Sequence, residues 1–304
     1  MHAVLERIGA EYQLANAEMR RLFHGRGGCF EGFGWLVVDF LPPVAVIRVY
    51  NDKAPVSLEP LVDYLMALDG VTGVGLQYRG RSRHPETSVL AGEVAPELVC
   101  NEAGLSYAIR PLANQNPGLF LDMRSGRAWV RAHSADKRVL NLFSYTCGFS
   151  VAAMAGGASS VVNLDMSAGA LKTGRRNHRL NLLSEDKVRY LSHDLMRSWG
   201  KLKKLGPYDL VIIDPPSFQP GSFVAQKDYR RVLRRLPDLV DAGGYVLACH
   251  NDPEQREEFL RGIMAEEAPG FQFKERLAQG DDFPEQDSEQ GVKVLLYKRE
   301  GAWN

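Results

Sequence analysis

The spacing of apolar positions changes partway along the chain, and this change divides it into two regions. Up to about residue 110 the pattern is mixed. Leu5, Ile8, Leu14, Ala15, Met19 and Leu22 recur at helical spacing, which predicts an amphipathic helix over residues 3–22. Trp35–Phe40 and Val44–Tyr50 read as two strands on either side of Pro42-Pro43, and Leu58–Leu68 returns to a helical period that Gly70 would end. Val71–Tyr78, Leu98–Asn101 and Leu105–Arg110 read as further strands, the last two paired across Glu102-Ala103-Gly104.

From Pro111 onward, aliphatic runs alternate with helical stretches. The strand candidates are Val139–Phe143, Val161–Leu164, Val188–Leu191, Leu210–Ile213 and Tyr245–Cys249, with helices such as Ala168–Leu180 and Tyr229–Leu239 between them. Continuous aliphatic runs of this length suit strands covered on both faces, and their alternation with helices predicts βαβ units in a doubly wound parallel sheet. Phe271–Arg276 and Val292–Lys298 add a closing pair of strands around an acidic loop. The expected organisation is a small α+β module over residues 1–111, followed by an α/β domain over residues 112–304 with a Rossmann-like seven-stranded sheet. No repeat or low-complexity linker interrupts it.

Composition narrows the class. A chain of 304 residues, 45% hydrophobic and 24% charged, buries a sizeable core. Its formal net charge is zero, which argues against coating nucleic acid through bulk charge and leaves room for local basic patches. Cys29, Cys100, Cys147 and Cys249 have neither zinc spacing nor the density of a disulfide scaffold, so reduced thiols and no metal are expected. The start lacks a basic segment followed by an apolar one, and no uncharged apolar run reaches membrane-spanning length. The expectation is a cytoplasmic protein with no membrane partner.

Candidate chemistry lies at the carboxyl ends of the strands, where open α/β sheets keep their ligand crevices. The first strand runs into Asn141-Leu142-Phe143-Ser144-Tyr145-Thr146-Cys147-Gly148, a tight turn that would bring backbone amides and a helix N-terminus to a polar ligand group. The second ends in Asp165, followed by Met166, and is placed to accept the hydroxyls of a ribose. The third is followed by His193-Asp194, whose carboxylate could accept from an adenine amino group. There is no GxGxxG, so a pyrophosphate cradle is poorly supported. Each residue also has a plainer reading: Gly148 as a turn glycine, Asp165 as a helix N-cap, Asp194 as a solvated loop acid. Together, in this order, they suit an adenosine without phosphates, and S-adenosylmethionine is the expected cofactor.

The fourth strand ends in Asp214-Pro215-Pro216-Ser217-Phe218. The two prolines carry no N–H and hold the chain extended, leaving the carboxylate and carbonyls as acceptors. Phe218 could stack on a flat ring, so the segment suits a planar, amino-bearing substrate.

The runs Val139–Thr146, Val162–Asp165 and Asp214–Phe218, with Asn116–Arg124 upstream and Lys227-Asp228-Tyr229 downstream, resemble the bacterial methyltransferases of 23S ribosomal RNA. The resemblance is close over residues 112–300 and looser before. It implies a class I methyltransferase fold, with which the closing hairpin agrees, and S-adenosylmethionine as cofactor. Asp165 would hold the ribose and Asp194 the adenine, while Phe120 and Arg124 would help close the pocket. Members methylate C5 of a cytosine or N7 of a guanine, so the expected partner is RNA of the large subunit or its precursor. Two departures stand out. The family has glycine where this chain has Cys147, so a wider or differently shaped turn is expected, and the amino-terminal RNA-binding module of the cytosine-C5 members is not evident.

Carbon methylation needs an activated cysteine to add to the ring. The cytosine-specific relatives carry it just past the fifth strand, where this chain has Asn251, with Cys249 two residues earlier on the same strand face. Nitrogen methylation needs only acceptors and alignment, which Asp214, the Pro215 carbonyl, Phe218 and Asn251 would supply. Nitrogen is therefore favoured. Basic clusters at Arg20/Arg21/His24/Arg26 and Arg79–His84 are the expected RNA contacts, and those at Lys172–Arg179 and Lys227–Arg235 read equally as solvated helix faces. The competing readings are a methyltransferase of the same fold acting on a small molecule or protein side chain, and a scaffold that only retains the cofactor.

Overall fold

The structure is a computed structural model that describes residues 1–51, 53–80, 86–113, 116–216, 218–219 and 223–301, with the side chains of 218 and 219 outside the description. The chain folds as two compact units. The first comprises Met1–Asp122 and Gly280–Ser288, and the second Met123–Gln279 and Glu289–Asn304.

The first unit opens with α1 (His2–Ala15), followed by strands β1 (Arg20–His24), β2 (Leu36–Leu41) and β3 (Val44–Val49). The crossover helix α2 (Glu59–Met66) leads to β4 (Gly73–Tyr78) and β5 (Glu86–Gly92), which complete a five-stranded sheet in the order β1-β2-β3-β4-β5. Only the β3–β4 pair, which α2 connects, is parallel. The helix expected over residues 3–22 is corrected here. It stops at Ala15 because Asn16 and Ala17 take positive φ (47° and 59°), and Met19 and Leu22, read as helical, belong to the approach to and body of β1. Strand β5 has no burial alternation, its residues being almost all exposed, which is why no apolar period announces it. Strands β6 (Leu98–Glu102) and β7 (Leu105–Ile109) form the expected hairpin. Its two loop residues, Ala103 and Gly104, both have positive φ, as a two-residue turn matched to strand twist requires.

The second unit carries the alternating pattern. Helix α3 (Arg124–His133) precedes β8 (Arg138–Leu142), α4 (Gly148–Ala155), β9 (Ser160–Asp165), α5 (Ala168–Leu180) and β10 (Val188–Ser192). Then come α6 (Trp199–Leu205), β11 (Tyr208–Ile213), the short strands β12 (Phe218–Gln219) and β13 (Phe223–Val224), α7 (Ala225–Leu233) and α8 (Leu236–Leu239). The expected single helix Tyr229–Leu239 is thus two, Pro237 sitting in the first turn of the second. Strand β14 (Val240–His250), α9 (Glu257–Glu267), β15 (Phe271–Arg276) and β16 (Lys293–Arg299) end the unit.

The seven-stranded sheet runs β10-β9-β8-β11-β14-β16-β15. Strands β8 to β11 and β14 are parallel, and β16 inserts antiparallel between β14 and β15. Period-two alternation splits the core into two layers. Leu140, Leu142, Val211, Ile213, Val246 and Ala248 cluster with α7, α8 and α9. Val139, Leu210, Ile212, Leu247 and Cys249 cluster with α3 and α4. Burial on both faces explains the unbroken aliphatic runs. The strand order reverses between β8 and β11, and the carboxyl ends of these strands flank the position where doubly wound sheets bind ligands.

Candidate cofactor and substrate site

The loop leaving β8 is built on an unusual backbone. Phe143, Tyr145 and Cys147 have φ of 56°, 46° and 63°, and the residues between them do not. Left-handed backbone costs a non-glycine residue about 1–2 kcal/mol, so three in five residues need compensation. Alternating backbone handedness turns successive amides toward a common concavity that favours an anion. Here the anion is the protein's own. Asp165, at the tip of β9, accepts from the Tyr145 amide through Oδ2 (2.8 Å) and from the Ser167 amide through Oδ1 (2.8 Å). Further bonds brace the loop: Ser144 N–H to Leu164 O (3.1 Å), Cys147 N–H to Ser144 O (2.7 Å) and Asn177 Nδ2 to Thr146 O (2.9 Å).

This arrangement tests the fit of the expected cofactor. A concavity already holding a carboxylate repels a pyrophosphate. The same carboxylate, half-buried and with acceptor capacity on both oxygens, suits the paired hydroxyls of a ribose. The donor set fits an adenosine without phosphates. Met166, 49% exposed next to Asp165, offers an apolar surface for a flat ring.

Cys147 takes the left-handed conformation (φ 63°, ψ 31°) that glycine favours, so the tight turn forms without one. Its fully buried thiol, which burial pushes well above its ordinary pKa, fills space left by Gly174 on α5. A Cβ on Gly174 would lie 2.3 Å from the Cys147 Sγ and 2.9 Å from its Cβ. The thiol is an inert filler against a matching glycine.

Asn141 is 1% exposed and starts a buried polar chain. Its Nδ2 donates to Asn163 Oδ1 (3.0 Å), Asn163 Nδ2 donates to Ser150 Oγ (2.9 Å), and Ser150 meets His178 Nε2 (3.0 Å). His178 Nδ1 donates to Gly174 O (2.9 Å), which makes Nε2 the acceptor, and burial holds the imidazole below its ordinary pKa and neutral. The chain joins β8, β9, α4 and α5 behind the loop, and single polar residues on apolar strands gave no signal of it. Asp194 caps a turn of 3₁₀-helix, accepting from Met196 N–H (2.8 Å), with Arg197 3.6 Å from its other oxygen. Phe143 packs edge-on to Phe223, with centroids 4.9 Å apart. Ser144 and Thr146 are buried, Tyr145 is half-buried, and Gly148 opens α4. Phe120, 37% exposed, lies in the first unit, and Arg124 opens α3 in the second.

Asp214 follows β11 and is half-buried, Pro215 is buried, and Asn251 is exposed one residue past β14. Ser217 and the Phe218 ring lie outside the described residues. The two strand ends are clamped by Tyr229 of α7, fully buried, whose hydroxyl lies 3.0 Å from Cys249 O and 3.4 Å from Ile213 O. Burial, with Cys249 and Asp214 nearby, raises the phenol well above its ordinary pKa and keeps it a donor. Lys293 of β16, with no exposed surface, donates to Asp252 O (2.8 Å) and holds the turn that carries Asn251. Its neighbour His250 is pushed down to about 4, mainly by burial and then by Lys293. Neither clamp was assigned a role from sequence. Cys249 is a reduced cysteine with no exposed surface, set among Leu247, Val139 and Val294.

The sheet order and its antiparallel closing hairpin define the class I methyltransferase fold. A family model for S-adenosylmethionine-dependent methyltransferases matches residues 20–298, and the chain belongs to that family. Ribosomal RNA large subunit methyltransferase I of Aeromonas salmonicida is 31% identical over 207 residues, 65% of this chain and 52% of the relative. The protein of the same name from Cronobacter sakazakii is 30% identical over 268 residues, 84% of this chain and 68% of the relative. The chain thus spans about half to two thirds of the length of these curated relatives. The crystal structure of SMU.776 complexed with SAH is similar in fold, with a TM-score of 0.84 at 23% identity over 98% of this chain and 81% of that one. The family's cofactor is S-adenosylmethionine, and the match begins well inside the first unit.

Two outcomes follow. Each charge-assisted bond from a hydroxyl to a carboxylate contributes about 1.5–3 kcal/mol, so Asp165→Ala should weaken S-adenosylmethionine binding at least about tenfold by calorimetry. Unchanged affinity in a folded variant would remove Asp165 from the ribose site. Gly174→Ala should lose about 1–3 kcal/mol of stability through overpacking, and adding Cys147→Gly should restore most of it. Simple additivity in that double-mutant cycle, followed by denaturant titration, would show that the two positions do not share one space.

Proposed function

We propose that the protein transfers the methyl group of S-adenosylmethionine to a nitrogen of a base in large-subunit ribosomal RNA. The observation that carries the choice of atom is the burial of Cys249, which has no exposed surface, while the position where a nucleophile is expected holds Asn251. The names of the relatives support the RNA substrate.

The bound cofactor supplies an electrophilic methyl carbon. What the chain's own residues contribute is orientation and charge. Asp165, braced by the Tyr145 and Ser167 amides, holds the ribose end in one place. At β11, residues 215 and 216 lack N–H groups, so the segment after Asp214 presents acceptors to an amino-bearing base edge. The Asp214 carboxylate accepts from an exocyclic amine and takes the proton lost when that nitrogen gains its methyl group. A ring nitrogen such as guanine N7 loses no proton and needs Asp214 only for positioning. Asn251 offers a neutral amide from the end of the neighbouring strand β14. Tyr229 keeps the ends of β11 and β14 at a fixed separation, so nucleophile and methyl carbon meet in line without a covalent enzyme adduct.

Asp214→Ala should lower turnover on large-subunit RNA by about a hundredfold or more, with cofactor affinity within about threefold of the parent. Collapse of cofactor binding in a folded variant would move Asp214 to the cofactor. Cys249→Ala should retain substantial activity, and 5-fluorocytosine-containing RNA should form no stable adduct with the parent enzyme. A trapped protein–RNA complex that disappears in the Cys249 variant would replace nitrogen with cytosine C5.

A further inference from the structure

The basic clusters divide into two kinds. On α5 and along α7 and its C-cap, five arginines are answered by carboxylates: Arg179 and Arg175 by Glu185, Arg230 by Glu266 and Glu267, Arg234 by Glu267, and Arg231 by Asp228. In the first unit they are not answered evenly. Asp39 on β2 serves both Arg21 Nε and Arg48 Nη1. Arg48, on β3 and 3% exposed, has no hydrogen-bond partner among the described residues for its Nε or its second Nη. A guanidinium is expensive to bury with donors unmade.

The acidic residues of segment 280–288 are turned to the Arg21 end. Asp282 accepts from the Arg21 amide (3.2 Å), Glu285 meets His24 Nε2 (3.0 Å), and the Phe283 ring lies 4.5 Å from the Arg21 guanidinium. The other end gathers around Tyr50, the residue after β3. The Arg26 guanidinium lies 4.2 Å from the Tyr50 ring centroid and that of Arg79 lies 5.6 Å from it, with Arg79 Nη1 donating to the hydroxyl (3.3 Å). Burial alone would raise the Tyr50 phenol, yet Arg79, Arg21, Arg48 and Arg26 together hold it below its ordinary pKa. Burial, reinforced by Arg79 and Arg21, pushes Arg48 down to about 9, which leaves it charged at neutral pH. Arg26 is exposed, and Tyr50 and Arg79 are half-buried, so this end is reachable from solvent.

We propose that Arg26, Arg79 and Tyr50, backed by the buried charge of Arg48, form a subsite for a phosphodiester of the RNA backbone, an inference that rests on the RNA reading above. Forked guanidinium donors match phosphate oxygens, and a phenol among them adds a further donor. An arginine stacked on an aromatic ring is also a platform for an unpaired nucleotide beside its phosphate. The subsite lies apart in sequence from every residue assigned to the cofactor or target base. It therefore positions RNA without reading its sequence.

The test uses the full chain and a labelled single-stranded RNA of mixed sequence, followed by fluorescence anisotropy across a salt series. Arg26→Ala and Arg79→Ala should each weaken binding about three- to tenfold, and each lost phosphate contact should flatten the dependence of log affinity on log salt by about 0.7. S-adenosylmethionine affinity should stay unchanged. In parallel, inorganic phosphate should raise the Tyr50 phenol pKa in ultraviolet titration, an effect absent from Tyr50→Phe and lost in Arg26→Ala. Arg26 is exposed, so its variant keeps the test open if Arg79→Ala fails to fold. Parental RNA affinity and salt slope in both variants, with no phosphate effect on Tyr50, would overturn the subsite while leaving the RNA reading standing. A parent protein that responds to phosphate but binds no RNA would instead overturn RNA as the source of the phosphate, and the substrate reading with it.

Discussion

The loop at the carboxyl end of β8 is organised around one carboxylate. Asp165 ties that loop to the end of β9 by accepting the Tyr145 amide, and together with the bonds from Ser144, Cys147 and Asn177 this contact offsets the strain of the alternating backbone at residues 143–147. The carboxylate is half-buried and keeps acceptor capacity on both oxygens. An internal anion occupies the concavity that a dinucleotide-binding loop would offer to phosphate, and what remains suits hydroxyl groups.

Support behind that loop is polar and directional. The run from Asn141 through Asn163 and Ser150 to His178 has one consistent donor sense and ends on the Gly174 carbonyl, beside the glycine that accommodates Cys147. The Cys147 side chain is accommodated by a glycine on the facing helix, so the tight turn forms with a side chain at its left-handed position. The ends of β11 and β14 follow similar logic. Tyr229 and Lys293 are buried donors to backbone carbonyls next to Asp214 and Asn251, and they fix those strand ends.

Electrostatics separates the two units. Arg175, Arg179, Arg230, Arg231 and Arg234 on the helices of the second unit are paired locally with carboxylates, whereas the first unit concentrates arginines around Tyr50 with one carboxylate shared between Arg21 and Arg48. A chain of zero net charge can still hold a strongly positive locus, because charge is distributed by fold and not by composition.

The sequence by itself determined the sheet. Strands covered on both faces must be continuous aliphatic runs, so β8, β9, β10, β11 and β14 were legible, and the acids at their ends pointed to an adenosine site. It misplaced the end of α1 and was silent on β5, since a left-handed break at Asn16 and an exposed strand leave no apolar period. Only the tertiary structure decided which polar residues face inward. Asn141 has the same identity whether it meets a ligand or Asn163, and Cys249 reads alike as nucleophile or core until the neighbouring strand and helix surround it. Likewise, a string of arginines becomes a solvated face or a concentrated charge according to which carboxylates the fold brings within reach. Those outcomes depend on contacts between residues far apart in the chain, which local spacing does not encode.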